Sequence, residues 1–321
     1  MSALRTSPQR RQRGVAFVIV IWLMALLTIL LGAFALMARV EGKQARHHYD
    51  AAVARHAAAA GINEAVYFLA QPDPTQKWIP DGRAYQFDFE DMQIQVEITD
   101  ESGLVDINAA DIGFLTELFT SLGVEMNEAA ALAAAIQDWR DADDLLSPEG
   151  AELPEYEAAG LDYGPANAPF SLVSELLQVL GMTPALYERL RPLVTIYSGR
   201  PRPDLAYAPP EVIQAMPNMT AELAQQIVEM RRMWDPNSGA PAPRLPDGTE
   251  LMARGGTGTY TLKSRATLPN GAWTQLDATI RMGGGLASGL AYTALRWQDG
   301  EPETSKSSDG SFDSSDPQDS R

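Results

Sequence analysis

The first forty residues divide into a polar, basic stretch and an uninterrupted apolar stretch. Residues 1–14 contain four arginines and no acidic residue, whereas residues 15–38 contain no charged side chain. An α-helix rises 1.5 Å per residue, so residues 15–38 would span about 36 Å, enough to cross a hydrocarbon core of about 30 Å. The pattern predicts one transmembrane helix, and its basic flank predicts a cytoplasmic N-terminus with the chain after Arg39 across the membrane.

Two other interpretations of this stretch compete with that prediction. A cleaved secretory signal has a shorter apolar region, about 7–15 residues, followed by small residues at the cleavage site. Here the apolar run is longer, and Arg39 follows it directly. Hydropathy alone favours a plain signal anchor, so by itself it predicts only a membrane helix.

Beyond the apolar stretch, helical spacing of apolar residues predicts that the helix continues from Arg39 to about Ala70, before Pro72. Strict alternation of apolar and polar residues then predicts strands. These strands cover residues 85–89, 93–98, 260–268 and 273–282. Because the first pair and the last pair are separated by a long segment, we expect one antiparallel sheet with a large insertion.

The segment between the strand pairs has an almost wholly helical pattern. Asn127 and Ser171 are predicted helix N-caps, and Gly123 and Gly181 predicted helix ends. The predicted helices are 110–122, 127–140, 171–180, 184–194, 209–216 and 221–233. The fold class is therefore α+β: a long N-terminal transmembrane helix and a small antiparallel sheet, with a large all-helical insertion.

The same pattern sets the domain boundaries. They are a basic leader at 1–14, a transmembrane helix at 15–38, the helix continuation and first strands at 39–101, a helical insertion domain at 102–233, a loop and the last strands at 234–285, and a C-terminal segment at 286–321. The last 23 residues are polar and acidic and are predicted to be a disordered acidic tail.

Composition narrows the possible chemistry. The chain of 321 residues has no cysteine, which excludes disulfides and thiolate sites, and its three histidines lie close together after the apolar stretch. A Ser-His-Asp triad elsewhere is therefore not expected, and no nucleophile motif or phosphate-binding glycine loop is present. We expect a protein that is not an enzyme. A net charge of −17 also opposes binding to nucleic acid.

The junction between the leader and the apolar helix resembles the processing site of type IV prepilins and pseudopilins. Its carrier is the sequence Arg-Arg-Gln-Arg-Gly-Val at residues 10–15. The resemblance implies that prepilin peptidase cleaves after Gly14 and that Val15 becomes the N-methylated mature N-terminus. Residues 1–14 are then a prepilin leader, and the apolar helix is retained as the membrane anchor.

One position departs from the common pilin pattern. Most pilin-like subunits have a glutamate at the fifth mature position, whereas Ile19 stands there in this chain. K-type minor pseudopilins of type II secretion typically lack that glutamate, and the chain resembles them in further motifs. These motifs lie at residues 100–111, 138–144, 150–152, 167–170 and 174–182.

The K-type resemblance implies a function and partners. It implies a minor pseudopilin at the tip of the type II secretion pseudopilus, single-pass in the bacterial inner membrane, that initiates or caps assembly for export of folded proteins. The implied partners are the I-, J- and H-type minor pseudopilins, the major pseudopilin, prepilin peptidase and the inner-membrane assembly platform, with secreted cargo a further candidate and no nucleic acid. The alternatives are a minor pilin of a related type IV filament and a bitopic periplasmic binding or anchor protein.

An acidic cluster in the insertion is the candidate metal site. Residues 100–162 contain sixteen acidic residues and one base, Arg140. Clustered carboxylates repel unless solvent or a cation screens them, and calcium prefers such oxygen ligands. The cluster is not an EF-hand, because Leu145 and Leu146 occupy the positions that need an oxygen ligand and a glycine. An irregular calcium loop and a solvated acidic loop both remain open.

The family resemblance implies structural calcium in this region. The residues of the matching motifs are the candidate ligands, with the asparagine the loosest match. They are Asp138, Asp141, Asp143, Asp144, Glu152 and Asn167.

Two segments also resemble helix-hairpin-helix DNA-binding units. One begins at residues 106–110, and the other runs from residues 209–213 through Arg231. Such units grip phosphate through a glycine-bearing hairpin. The second hairpin has no glycine, and in the first Gly123 is followed by acidic residues. We therefore expect a related fold without the DNA contact.

Overall fold

A computed structural model describes residues 15–300, apart from residues 74, 236–237, 246–247, 249–250, 252–257 and 284–289. The predicted leader at 1–14, with Gly14, lies outside the described residues, as does the predicted acidic tail at 299–321 except for its first two residues. Of these two, Asp299 ends a strand, so the prediction of disorder is wrong at that residue. The strands are β1 (Asp81–Phe89), β2 (Met92–Asp100), β3 (Val105–Asp106), β4 (Val194–Thr195), β5 (Thr259–Thr267), β6 (Trp273–Met282) and β7 (Tyr292–Asp299). The α-helices are α1 (Val15–Leu69), α2 (Ile112–Ser121), α3 (Met126–Arg140), α4 (Leu153–Ala158), α5 (Pro184–Leu190), α6 (Pro210–Gln214) and α7 (Ala221–Met233).

The N-terminal helix α1 is 55 residues long and contains the predicted membrane segment. Its large apolar side chains from Phe17 to Val40 are exposed. In the described part of the chain, α1 is the one helix long and apolar enough to cross a membrane, with a mean hydropathy of 2.8 in its most apolar stretch. It is a candidate membrane anchor, as the sequence pattern predicts.

Five antiparallel strands form the main sheet in the order β1-β2-β5-β6-β7. The end of β2 pairs with the start of β5, with Asp100 opposite Tyr260. The insertion therefore leaves the sheet from one strand and returns on the neighbouring strand.

The sheet packs one face against the C-terminal part of α1. Alternate residues of the central strands, including Ile94, Val96 and Leu262, are fully buried on this face. The helix approaches the sheet closely at Gly61, where an added Cβ would lie 2.3 Å from Ser264 Oγ and 2.8 Å from Ile94 Cγ2. Only glycine fits this contact without displacing the sheet side chains.

The insertion contains two helical hairpins of the same construction. In the hairpin α2–α3, Arg140 donates to the carbonyl oxygens of Ile107 and Ala110, which precede α2. In the hairpin α6–α7, Arg231 donates to the carbonyl oxygens of Leu205 and Ala208, which precede α6. The two segments that resemble helix-hairpin-helix units are thus matching hairpins, each closed by an arginine from its second helix. These arginines are bonded to backbone within the domain.

A short parallel pair, β3 with β4, joins distant parts of the insertion. This pair was not predicted from the sequence, because two-residue strands carry no periodic pattern. Helix α4 and the edge strand β7, which lies in the predicted C-terminal segment 286–321, were not predicted either. The side chains of β7 do not alternate between buried and exposed, so its period-2 signal is weak.

The predicted helix boundaries need three corrections. Residues Val173–Gln178 form a 3₁₀-helix that starts after Leu172, so Ser171 is not the cap residue. The cap residue of α3 is Glu125 rather than Asn127, and it makes no side-chain capping bond. The predicted helix at 184–194 ends at Leu190, and Arg191–Leu193 continue as a 3₁₀ turn into β4.

Glu101 fastens the insertion to the sheet. This residue follows β2 directly and is 4% exposed. Its carboxylate accepts hydrogen bonds from the hydroxyls of Thr195 in β4 and Thr261 in β5. Burial raises the pKa of Glu101, and the pKa of the neighbouring buried Asp100 is raised by the same cause.

Substitution of Gly61 tests the close contact between α1 and the sheet. Gly61→Ala should destabilise the protein by about 1–3 kcal/mol, because overpacking outweighs the gain in helix propensity of about 1 kcal/mol. The measurement is the thermal unfolding midpoint of the full chain in detergent. Gly42→Ala is the matched control, since an added Cβ there meets no atom within 4 Å. Equal midpoints for the two variants would contradict the contact.

Acidification tests the junction at Glu101. Because its folded pKa is raised, the folded chain binds the proton more tightly than the unfolded chain. The free energy of unfolding should therefore rise as pH falls from 7 through the raised pKa, by about 1.4 kcal/mol for each pKa unit of difference. Urea midpoints at pH 7 and pH 5 should show a smaller rise for Glu101→Gln. The control Glu117→Gln, at an exposed position, should show the same rise in midpoint as the wild-type chain. A wild-type rise in Glu101→Gln would contradict the role of Glu101 at the junction.

Candidate metal centre in the acidic loop

The acidic loop is organised around Asp138, which is fully buried at the end of α3. Its Oδ2 atom accepts hydrogen bonds from the backbone N–H of Ala151 at 2.9 Å and of Ser147 at 3.3 Å. Its Oδ1 atom is buried and has no hydrogen-bond partner among the described residues. One oxygen of Asp138 therefore fixes the turn at 147–151, and the other is left for a further ligand.

Three more of the predicted ligands carry a buried oxygen that lacks a partner within the described chain. They are Asp141 Oδ1, Glu152 Oε1 and Asn167 Oδ1. A buried polar atom without a hydrogen bond is unfavourable by about 1–3 kcal/mol, and each such atom in a native fold needs a physical reason. Four oxygen atoms left unsatisfied in one acidic region fit the donor set of a calcium ion, which takes carboxylate and amide oxygens.

The electrostatics of the loop point the same way. Partial burial raises the pKa of Glu152, and the carboxylates of Asp138, Asp141 and Asp144 raise it further. Burial also raises the pKa of Asp141, followed by the charges of Asp143 and Asp138. These shifts mean that the carboxylates lie close enough to repel one another, so a bound cation would relieve that repulsion.

The carboxylates are not drawn together into a ready metal cage. Among the described residues, no group of three or more acidic or histidine side chains is arranged so that it could hold a metal ion as it stands. The loop thus contains oxygen atoms of the right chemistry for calcium. Their side chains would have to move toward one another to coordinate an ion.

Two of the six predicted ligands face solvent and have other contacts. Asp143 accepts a hydrogen bond from the backbone N–H of Leu145 at 3.0 Å, and Asp144 accepts one from the Asn167 side-chain amide at 2.8 Å. The Asn167 backbone has a φ of 47°, a left-handed conformation that asparagine tolerates better than most residues. Asp144 therefore contributes by orienting Asn167.

The role of Gly150 was not predicted from the sequence. An added Cβ at this position would lie 2.0 Å from Asp138 Oδ2, so a larger residue would displace the carboxylate. The one sequence signal for Gly150 is its position in the motif at 150–152, which carries the family resemblance.

The positions of the predicted processing site are only partly described. Val15 opens the described part of α1, and Ile19 lies one turn further on with its side chain 60% exposed. Gly14 lies outside the described residues, so cleavage there stays a prediction.

Comparison with known proteins gives the same family that the sequence motifs indicated. Residues 96–199 match the family model described as type II secretion system (T2SS), protein K. Type II secretion system protein K of Klebsiella pneumoniae is 32% identical over 205 residues, which are 57% of this chain and 62% of the relative. The putative protein K of Escherichia coli K12 is 28% identical over 206 residues, 58% of this chain and 62% of the relative. The chain spans about six tenths of the length of these relatives.

A solved structure shares the fold. The match is to the crystal structure of the GspK-GspI-GspJ complex from the type 2 secretion system of enterotoxigenic Escherichia coli, with a TM-score of 0.56 and 19% sequence identity. It covers 81% of this chain and 100% of the matched chain. The predicted α+β fold is confirmed, and residues 96–199 are the part of the chain that is similar to the protein K family of the type II secretion system.

Proposed function

We propose that this chain is a minor pseudopilin at the tip of the type II secretion pseudopilus. It initiates or caps assembly of the filament for export of folded proteins across the outer membrane, and its role is assembly rather than chemistry. The observation that carries the proposal is the combination of a 55-residue N-terminal helix with a sheet that bears the insertion at residues 101–258. The helix is the part that packs in a filament. The insertion is too large for a subunit that repeats along the filament.

Two features support the tip position. The insertion adds a helical domain to the small sheet, and stacking many such subunits in a thin filament would bring their insertions into collision. Ile19 stands at the fifth mature position, where other pilin-like subunits have a glutamate that neutralises the N-terminal ammonium of a neighbour. Leaving that ammonium unpaired in apolar surroundings is unfavourable, so a subunit without the glutamate suits a position with no subunit above it.

The membrane topology and partners follow from this role. The helix α1 anchors the chain in the bacterial inner membrane, with the N-terminus cytoplasmic and the remainder periplasmic. The I- and J-type minor pseudopilins are the nearest partners, by analogy with the matched Escherichia coli complex, in which GspK is joined with GspI and GspJ. The H-type and major pseudopilins, prepilin peptidase and the assembly platform are the further partners. The Klebsiella and Escherichia relatives are both named as secretion proteins, which favours this role over a type IV pilin.

We also propose that the acidic loop binds structural calcium. Asp138, Asp141, Glu152 and Asn167 would supply oxygen ligands, and Asp143 and Asp144 would add charge at the rim. The support is the set of four buried oxygen atoms without a described partner. When bound, the ion would neutralise the mutual repulsion of the carboxylates and join the end of α3 to the turn at 147–151.

Intact-mass analysis tests the processing site. Chain extracted from a membrane that contains prepilin peptidase should lack residues 1–14 and carry one added methyl group. Gly14→Asp should leave the leader uncut, because the resemblance to prepilins implies cleavage directly after a glycine at this position. Gly32→Ala, a glycine substitution inside α1, is the control and should be processed normally. An uncut wild-type chain would refute the pseudopilin assignment.

Thermal unfolding with calcium, magnesium or a chelator tests the metal centre. Calcium should raise the unfolding midpoint, since a ligand at a hundred times its dissociation constant stabilises by about 2.7 kcal/mol. Asp138→Asn should abolish the rise, and Asp162→Asn, an exposed acid outside the site, should retain it. Because the pKa values of Asp141 and Glu152 are raised, protons compete with the ion, and the rise should be smaller at pH 5 than at pH 7. Equal unfolding midpoints with calcium and with chelator would contradict the calcium proposal and indicate a solvated acidic loop.

A further inference from the structure

An open groove lies on the surface of the insertion, beside the part of α3 that comes before the acidic loop in the sequence. Its volume is about 690 Å³. The walls are the first half of α3, the start of α5 and the turn at 149–151, and the turn glycines Gly123 and Gly181 line the groove as well. Both glycines have φ above 80°, a backbone conformation that other residues rarely adopt. The conformation of these two turns is therefore specified by the sequence.

The floor of the groove is apolar, and the residues of its walls have small side chains. Leu132 and Leu186 are buried beneath it, and Ala131, Ala135 and Ala185 line it. Alanine and glycine walls leave room for short side chains of another chain to approach the helix backbone. Apolar surface in a concave site is stabilised when a partner covers it.

The rim of the groove is acidic. Glu125, Glu128 and Glu149 line it with exposed side chains, and none of the three makes an ion pair within the described residues. Among the described residues that line the groove, the one basic side chain is Arg189, whose guanidinium donates to the Leu122 carbonyl oxygen. Three carboxylates against one engaged guanidinium give a negative field over an apolar floor, which repels phosphate and attracts a cation.

One wall of the groove is rigid because of the acidic loop. Ala151 lines the groove and donates its backbone N–H to Asp138 Oδ2 at 2.9 Å. Gly150, also in the wall, has no space for a side chain because of the same carboxylate. The wall is thus held in place before any partner binds, which lowers the entropic cost of docking.

We propose that this groove is a docking site for a protein segment that presents one or two lysine or arginine side chains next to short apolar ones. The short apolar side chains cover Leu132 and Leu186, and the basic side chains pair with Glu125 and Glu128. One turn of the groove, at Gly123, belongs to the hairpin α2–α3, which resembles a helix-hairpin-helix unit, but the acidic rim favours a basic protein segment over a phosphate backbone. The proposal does not depend on filament position or on calcium.

Fluorescence anisotropy with the full chain in detergent at physiological salt tests the site. The probes are two labelled synthetic peptides, one of alanine, leucine and lysine, the other with glutamate in place of every lysine. The lysine peptide should bind and the glutamate peptide should not. In the double variant Glu125→Lys with Glu128→Lys, the lysine peptide should bind about tenfold more weakly, because the attraction becomes repulsion.

Two controls separate docking in the groove from attraction to an acidic protein. The double variant Glu211→Lys with Glu229→Lys makes the same charge change on exposed positions of α6 and α7 and should keep the wild-type affinity. Ala185→Trp fills the groove without a change of charge and should also weaken binding about tenfold. Equal weakening by both charge reversals, or wild-type affinity in Ala185→Trp, would overturn the proposal. Binding of the glutamate peptide would overturn it as well.

Discussion

The contact between α1 and the sheet at Gly61 is the constraint on which the fold around the sheet depends. The sheet has one continuous apolar face, formed by alternate residues of its central strands, and the C-terminal part of α1 covers it. A side chain at residue 61 would hold the helix away from Ile94 and Ser264. The close approach of α1 buries the apolar face of the sheet. The insertion is then connected to two neighbouring strands of this sheet, β2 and β5. Glu101 and its threonine partners fix the insertion at that point.

The larger elements could be predicted from the sequence because they carry long periodic patterns. The strand at 273–282 and the helix at 221–233 were predicted with their observed bounds, since alternation and helical spacing extend over ten or more residues there. The strand β7 was missed because its side chains lie at an edge and show no alternation. The pair β3–β4 was missed because contacts between residues about ninety positions apart leave no local pattern.

The candidate metal site shows a similar division. Residue type and family motifs led to Asp138, Asp141, Glu152 and Asn167, each of which has a buried oxygen atom without a described partner. Sequence alone could not distinguish them from Asp143 and Asp144, because burial depends on how the end of α3 meets the turn at 147–151. Nor could it show that Gly150 is required by the position of one carboxylate oxygen. The groove depends on three segments distant in sequence, so no pattern predicted it.

The pairing of β2 with β5 also determines the order in which the chain can fold. Asp100 and Tyr260 are neighbours in the sheet but lie on opposite sides of the whole insertion. The hairpins of the insertion close over short loops and can form early, whereas the sheet needs a long-range closure that is intrinsically slow. Until β5 pairs with it, β2 has an open edge on that side and is a site for mispairing with other chains. Helical hairpins that form between these strands shorten the effective loop, so the insertion also favours closure of the sheet.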